Sequence, residues 1–242
     1  MAFENPDPTF AHQADRVYGL CQLVADVRDR HSSVDADARR VNLNNIMMAA
    51  NAATATLRML WWAKQGGESV MIQALGLSKP EYVNLVAEDL LRSTRLFLVL
   101  ESQFQIETLF RNILTALGKP ATKQGFYVVA KELLNASGIP DPEARLGALN
   151  VGALLRNSMH SNGIHHGYQG ASTVEIIDGV EFRFDHGQRV QCGSWFHIVA
   201  ALRASLGIVD ELLATSVIKG LAVIRDEYAA QRATDNSDGA AT

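Results

Sequence analysis

Apolar residues recur at helical spacing along most of this chain. One such run extends from about Phe10 to Arg30 and a second from about Asp35 to Lys64. QGGES breaks the pattern, and a short helix follows to Leu75. SKPE at 78–81 then reads as a start signal, with Ser78 as cap, Pro80 in the first turn and Glu81 completing a capping box. From there to Leu117 neither Gly nor Pro occurs, and Val86, Leu90, Phe97, Phe104 and Ile113 recur at near-helical spacing. This predicts one long helix, ended by GKP at 118–120. A further helix is expected from about Thr122 to Ala136. GIPDPEAR opens the next, with Asp141 as cap and Pro142 in the first helical position, and SNG stops it near Ser161.

The period then changes from 3.6 to two. TVEII and VEFRF alternate around an Asp-Gly pair, which predicts a hairpin with a two-residue type I′ turn. In that register Ile177, Val180, Phe182 and Phe184 share a face. DHGQ makes a second turn, and RVQC is a candidate third strand. Ser194 caps a last long helix whose buried stripe is Trp195, Ile198, Val199, Leu202, Leu206, Val209 and Leu213. The expected fold is mainly α: a helical bundle with a small antiparallel β-hairpin or meander inserted before the last helix. Residues 1–77 read as N-terminal helices packed on the bundle. Residues 78–232 read as the bundle itself, with the hairpin at about 173–192, and residues 233–242 as a frayed, polar tail.

Composition narrows the function classes. The net charge is −4, so any nucleic-acid contact must come from a local patch. Cys21 and Cys192 form no disulfide framework and have no neighbours at zinc-ligand spacing, which fits a reducing cytoplasm. The N-terminus MAFENPDPTF has no basic region followed by an apolar run, so no signal peptide is expected, and apolar runs such as LFLVL at 96–100 are too short to span a bilayer, so no membrane partner is expected. No Gly-rich phosphate loop, nucleophile elbow or acidic metal cage is present, and no cofactor or metal is expected.

The chemistry concentrates in LLRNSMHSNGIHHGYQG at 154–170. On a helix over 142–161, Val151, Leu154, Leu155 and Met159 cover one broad side and Leu146 and Leu149 lie elsewhere, so the helix is apolar over most of its circumference. The remaining arc holds Asn150, Arg156, Asn157 and His160, with Arg156 and His160 one turn apart. Such a strip must be satisfied by another helix, a partner subunit, water or a ligand. His160 stands in the last turn, where the helix dipole favours a cation and the adjacent Arg156 opposes one. A His in that balance suits general acid–base chemistry, and an Arg fork suits a phosphate. Together they are adequate for metal-free phosphodiester cleavage, the His taking a 2′-hydroxyl proton and the Arg holding the phosphorane charge.

LLRNSMHSNG, near the end of a helix in a helical bundle, resembles the signature of the HEPN superfamily, whose motif is Arg, a polar residue, a short spacer and His. HEPN domains occur in toxins, abortive-infection proteins and other prokaryotic defence components. The hairpin and closing helix from Tyr168 to Val199 also resemble the C-terminal part of bacterial proteins with RN..H motifs. As architecture the resemblance covers about residues 80–225, and as residues about ten positions. It implies an RNA-processing or defence-associated protein, a metal-independent endoribonuclease with a composite site across a homodimer. Arg156, His160 and Asn157 would be catalytic, and Arg156, Asn150, His165 and His166 would contact RNA or phosphate. A nucleotide or a cognate regulatory protein are further implied partners. Three residues separate Arg156 from His160, against four to six in the usual family motif.

Plainer readings stand beside these. The polar strip can lock helix packing or form a dimer seam in a non-enzymatic scaffold or regulator, or bind RNA or a nucleotide without cleaving it. His165 and His166 can be an exposed loop or, with His160, zinc ligands. Glu107 and Arg111 are either a solvated i,i+4 pair or the counter-charge of the strip. Trp61 and Trp62 point about 100° apart, so they form no single stacking platform, and at least one belongs to the core or an interface. The Asn-rich VNLNNIMMAANAATAT has small residues that suit close helix contact.

Overall fold

The computed structural model describes residues 10–32, 34–119 and 124–226. The expected frayed tail and the expected helix start at Thr122 lie outside them. Helices α1 (Phe10–His31) and α2 (Ala38–Gln65) form an antiparallel pair, and the short α3 (Glu68–Ala74) follows. The long α4 (Val83–Ala116) packs along α2 and also meets α5 (Phe126–Ser137), α6 (Pro142–His160) and α7 (Trp195–Ala214). The one-turn α8 (Ser216–Lys219) closes the order of elements. The hairpin β1 (Thr173–Ile177) and β2 (Val180–Phe184) stands before α7, the last long helix, and packs on α6 and α7. The molecule is therefore a mainly helical bundle with one small antiparallel hairpin. No helix of the described residues is long and apolar enough to cross a membrane.

Local chemistry sets several boundaries. Asp37 takes the N-cap of α2, its carboxylate accepting from Arg39 N–H at 2.8 Å, so the helix starts at Ala38. Asp37 is almost fully buried and also binds the Arg39 guanidinium at 2.6 Å. The capping box expected at Ser78 and Glu81 does not form. Lys79 is extended, as the residue before a proline prefers, Pro80 opens a short 3₁₀ turn (Pro80–Tyr82), and α4 begins only at Val83. Asp141 likewise makes no side-chain cap. It stands in the left-handed region at φ 48°, and Arg145 instead donates to the carbonyls of Pro140 and Asp141.

The hairpin has the expected register, with Ile177 opposite Val180 and Thr173 opposite Phe184. Its turn residues are both left-handed, Asp178 at φ 50° and Gly179 at φ 78°, as a type I′ turn requires. Ile177, Phe182 and Phe184 are buried on the shared face. RVQC adds no third strand. That segment instead meets the loop after α6 through a single bridge, Ile164 to Arg189, with Val190 N–H donating to the Gly163 carbonyl at 2.8 Å. The α7 stripe is buried at every expected position from Trp195 to Leu213. One continuous core joins it to α1, α2, α4, α5, α6 and the hairpin.

The α4 stripe departs from expectation. Phe97 and Phe104 are about half exposed, while Leu98, Val99, Ile106, Leu109, Phe110 and Ile113 are buried. Neither Trp61 nor Trp62 enters the core, since both are exposed.

Candidate functional site

Helix α6 is held by neighbours on several sides, α4, α5, α7 and β1. Its apolar residues Leu146, Leu149, Val151 and Leu155 are buried, which leaves little of the helix free except its polar arc and its C-terminal end. Glu107 of α4 is the counter-charge of that arc. One carboxylate oxygen accepts from Arg156 at 2.9 Å, and the other accepts from Arg111 at 2.5 Å. Arg111 also donates to the Gln124 carbonyl at 2.6 Å. All three charged side chains are mostly buried, so the bridge is shielded from water and screened less than a surface pair. Two guanidinium groups thus share the Glu107 carboxylate near the C-terminal end of α6.

Arg156 Nε donates to Asn157 Oδ1 at 3.3 Å, and Asn157 is exposed. His160 stands one turn further on, exposed, with no hydrogen bond to a described residue. Asn150, two turns back from Asn157, is half-buried. The helix ends there because Gly163 at φ 82° turns the chain and its N–H returns to the Ser158 carbonyl at 2.8 Å. The arc thus brings together a fixed guanidinium, an exposed amide and an exposed imidazole.

The two later histidines separate. His165 is only 3% exposed, its backbone pairing with Gln188 and Gly187 and its ring 5.5 Å from Phe184. Burial pulls its pKa below the usual histidine value, and electrostatic repulsion from His186 and His166 adds to that. The Ala171 carbonyl and Asp185 act in the opposite sense. Its Nε2 is buried without a hydrogen bond of normal geometry. His166 is exposed and lies edge-on to His186 at 6.2 Å. The picture of an exposed loop therefore holds for His166 and not for His165. Among the described residues no group of three His, Cys, Asp or Glu is placed to hold a metal ion.

The sequence marked Ser194 as a helix cap but did not single out its partner His197. Ser194 Oγ lies 2.7 Å from His197 Nδ1 and also accepts from the His197 N–H, so the pair is an N-cap of α7. The His197 ring packs edge-on to Phe182 and Phe196, and among the described residues no carboxylate bonds it as the third member of a hydrolytic triad would. Serine followed three positions later by histidine at a helix start is the signal that marks it. Neither cysteine is an activated nucleophile. Burial pushes the Cys192 thiol up to about 11 and raises that of Cys21. Two surface hollows, of about 430 and 330 Å³, lie along α5 near Lys131 and on α4 near Arg92, and neither includes Arg156 or His160.

No protein-family model matches the chain, and no curated protein or solved structure matches it.

Proposed function

We propose that this chain is an HEPN-like RNA-processing or defence-associated protein, acting in the cytoplasm as a metal-independent endoribonuclease with Arg156 and His160 as the working pair. The observation that carries this reading is the pairing of an exposed His160, which has no hydrogen bond to a described residue, with an Arg156 whose guanidinium is fixed by Glu107 at 2.9 Å. A pre-set donor needs little reorganisation when charge develops on a phosphate. In this reading His160 takes the proton of a 2′-hydroxyl, and the 2′-oxygen forms a bond to phosphorus. The bond to the 5′-oxygen breaks, and that oxygen takes a proton from solvent. Arg156 and Asn157 hold the non-bridging oxygens, and Asn150 and His166 extend the contact to RNA. A homodimer, a nucleotide ligand and a cognate regulatory protein belong to the same reading.

One observation favours a second reading. The Arg111–Glu107–Arg156 bridge is complete within the protomer and ties α6 to α4. That is what a non-enzymatic scaffold or regulator would need from the same residues.

The deciding experiment is RNA cleavage in excess chelator. The enzyme reading expects cleavage that persists without metal, products ending in a 2′,3′-cyclic phosphate, and inert DNA of the same sequence. His160→Ala should abolish cleavage while the thermal melt stays unchanged, because His160 is exposed. If no RNA is cut and His160→Ala alters nothing but stability or assembly, the scaffold reading stands instead.

A further inference from the structure

We propose that the outer face of α2, flanked by α4, is a homodimer interface in which α2 packs antiparallel against α2 of a second copy of this chain. The proposal rests on this surface alone and is independent of any nuclease activity.

Met48, Ala52, Ala55, Met59 and Trp62 follow one another at steps of four, three, four and three. At 3.6 residues per turn they fall within an arc of about 80° on one face. That face is opposite the buried Ile46, Ala53 and Leu57, and all five of its residues are exposed. Met48 is 65% exposed and Trp62 64%. Beside them α4 presents Phe97 at 49% and Phe104 at 46%. Two polar side chains next to this stretch of helix have partners within the protomer. Arg58 pairs with Asp15 at 3.6 Å and lies over the Tyr18 ring, and Glu101 accepts from Gln105 at 2.7 Å. An apolar face of this kind on a chain in water needs a partner.

Two features select a second copy as that partner. The first is the spacing. A two-fold interface must be complementary to itself. The order Met, Ala, Ala, Met with gaps of four, three and four is a palindrome about the point between Ala53 and Thr54. A two-fold axis there sets Met48 against Met59 of the second copy, and Ala52 against its Ala55. The alanines at the centre let the helix backbones approach closely, while the methionines and Trp62 close the ends. The second feature is size. Half-exposed aromatic side chains offer on the order of 100 Å² each. Trp62, Phe97 and Phe104, with the two methionines and the alanines between them, approach the roughly 800 Å² per partner of a stable interface. Helix α6, the other candidate seam, is enclosed by its own bundle over most of its sides.

The test is the mass of the full chain by light scattering at tens of micromolar. The expected result is twice the chain mass. Ala52→Arg places two like charges at the axis and should weaken association by roughly 100-fold or more. Its melting curve at low concentration should match that of a monomeric wild type, since Arg is a good helix former and the site is exposed. Met48→Lys alone should also dissociate the dimer, and Met48→Lys combined with Met59→Glu should restore it, because the axis brings those two positions together. A monomeric wild type overturns the proposal and leaves the face to a different protein or to nucleic acid. A dimer indifferent to Ala52→Arg overturns it as well.

Discussion

Glu107 and Arg156 are 49 positions apart in the chain and 2.9 Å apart in the fold. The contact fixes how α6 sits on α4, and with it the direction from which His160 meets solvent. Because Arg111 holds the other oxygen at 2.5 Å, the carboxylate neutralises one of two guanidinium charges that would otherwise repel each other. Both proposed roles of the arc depend on this bridge, the catalytic one for geometry and the structural one for stability.

Glu107→Gln keeps the shape and removes the charge. Arg156, mostly buried, then loses its counter-ion, so unfolding by urea should show a loss of about 1–3 kcal/mol, somewhat below the ~3–5 kcal/mol typical of breaking a fully buried pair. A double-mutant cycle with Arg156→Gln should return a coupling of roughly 0.5–3 kcal/mol. Strict additivity would mean that the two side chains do not support each other.

At the hairpin, Gly179 stands at φ 78° in the second position of the Asp178-Gly179 turn. A Cβ added there meets no atom within 4 Å, so the strain is purely conformational. Gly179→Ala should cost roughly 1–2 kcal/mol, the price of holding an L-residue in the left-handed region. Asp178→Asn should be close to neutral, since Asn adopts that region readily. A thermal melt of the two variants separates these outcomes.

That turn was legible in sequence because its signal is local: two residues and a period-two pattern on each side. The α7 stripe was legible for the same reason, one amphipathic period read through a full helix. The α4 stripe was not. Helix α4 is covered by α2, α5, α6 and α7, so its buried positions include Ser102, Gln103, Gln105 and Thr108, and weighting the aromatics placed Phe97 and Phe104 on the wrong side. Gln105 is buried because Glu101 and Asn45 satisfy it, and Asn45 lies 60 positions away. The burial of His165 was hidden for a similar reason, since it depends on pairing with the segment around Gln188. At the candidate site the residue types Arg156, Asn157 and His160 were readable from helical spacing. Which of them would be held, and by whom, depended on the packing of α4 against α6.

Gln103 is a second case where packing decides. It is 1% exposed, and among the described residues neither its amide nitrogen nor its oxygen has a hydrogen-bond partner. A buried unpaired amide costs about 1–3 kcal/mol. Gln103→Met keeps the length and removes the polar atoms, so the melting temperature should rise. Gly152→Ala should lower it, because the new Cβ would lie 1.9 Å from Gln103 Nε2 inside a packed interface. A fall in stability for Gln103→Met would show that the amide is satisfied in solution.

Acid should loosen the fold before the carboxylates titrate. Burial holds the pKa of His165 and of His197 below the usual value of about 6.5. The unfolded chain therefore binds protons that the folded chain resists, and stability rises with pH across that interval. The contribution is fully present above pH ~6.5 and is lost as pH falls through the folded-state values. Each group adds at most about 1.4 kcal/mol per pH unit while it titrates only in the unfolded state. For His165 the groups facing the ring are His166 and His186, which oppose a charge on it, and Asp185, which favours one. Protonation should therefore first open the contact between Gly163–His165 and Gly187–Val190, close behind His160. Urea denaturation between pH 5 and 7.5 should show the slope, and His165→Gln should flatten part of it, with His197→Gln removing most of the remainder. A stability profile in which neither substitution changes the acid limb would mean that both rings reach solvent readily enough to titrate normally.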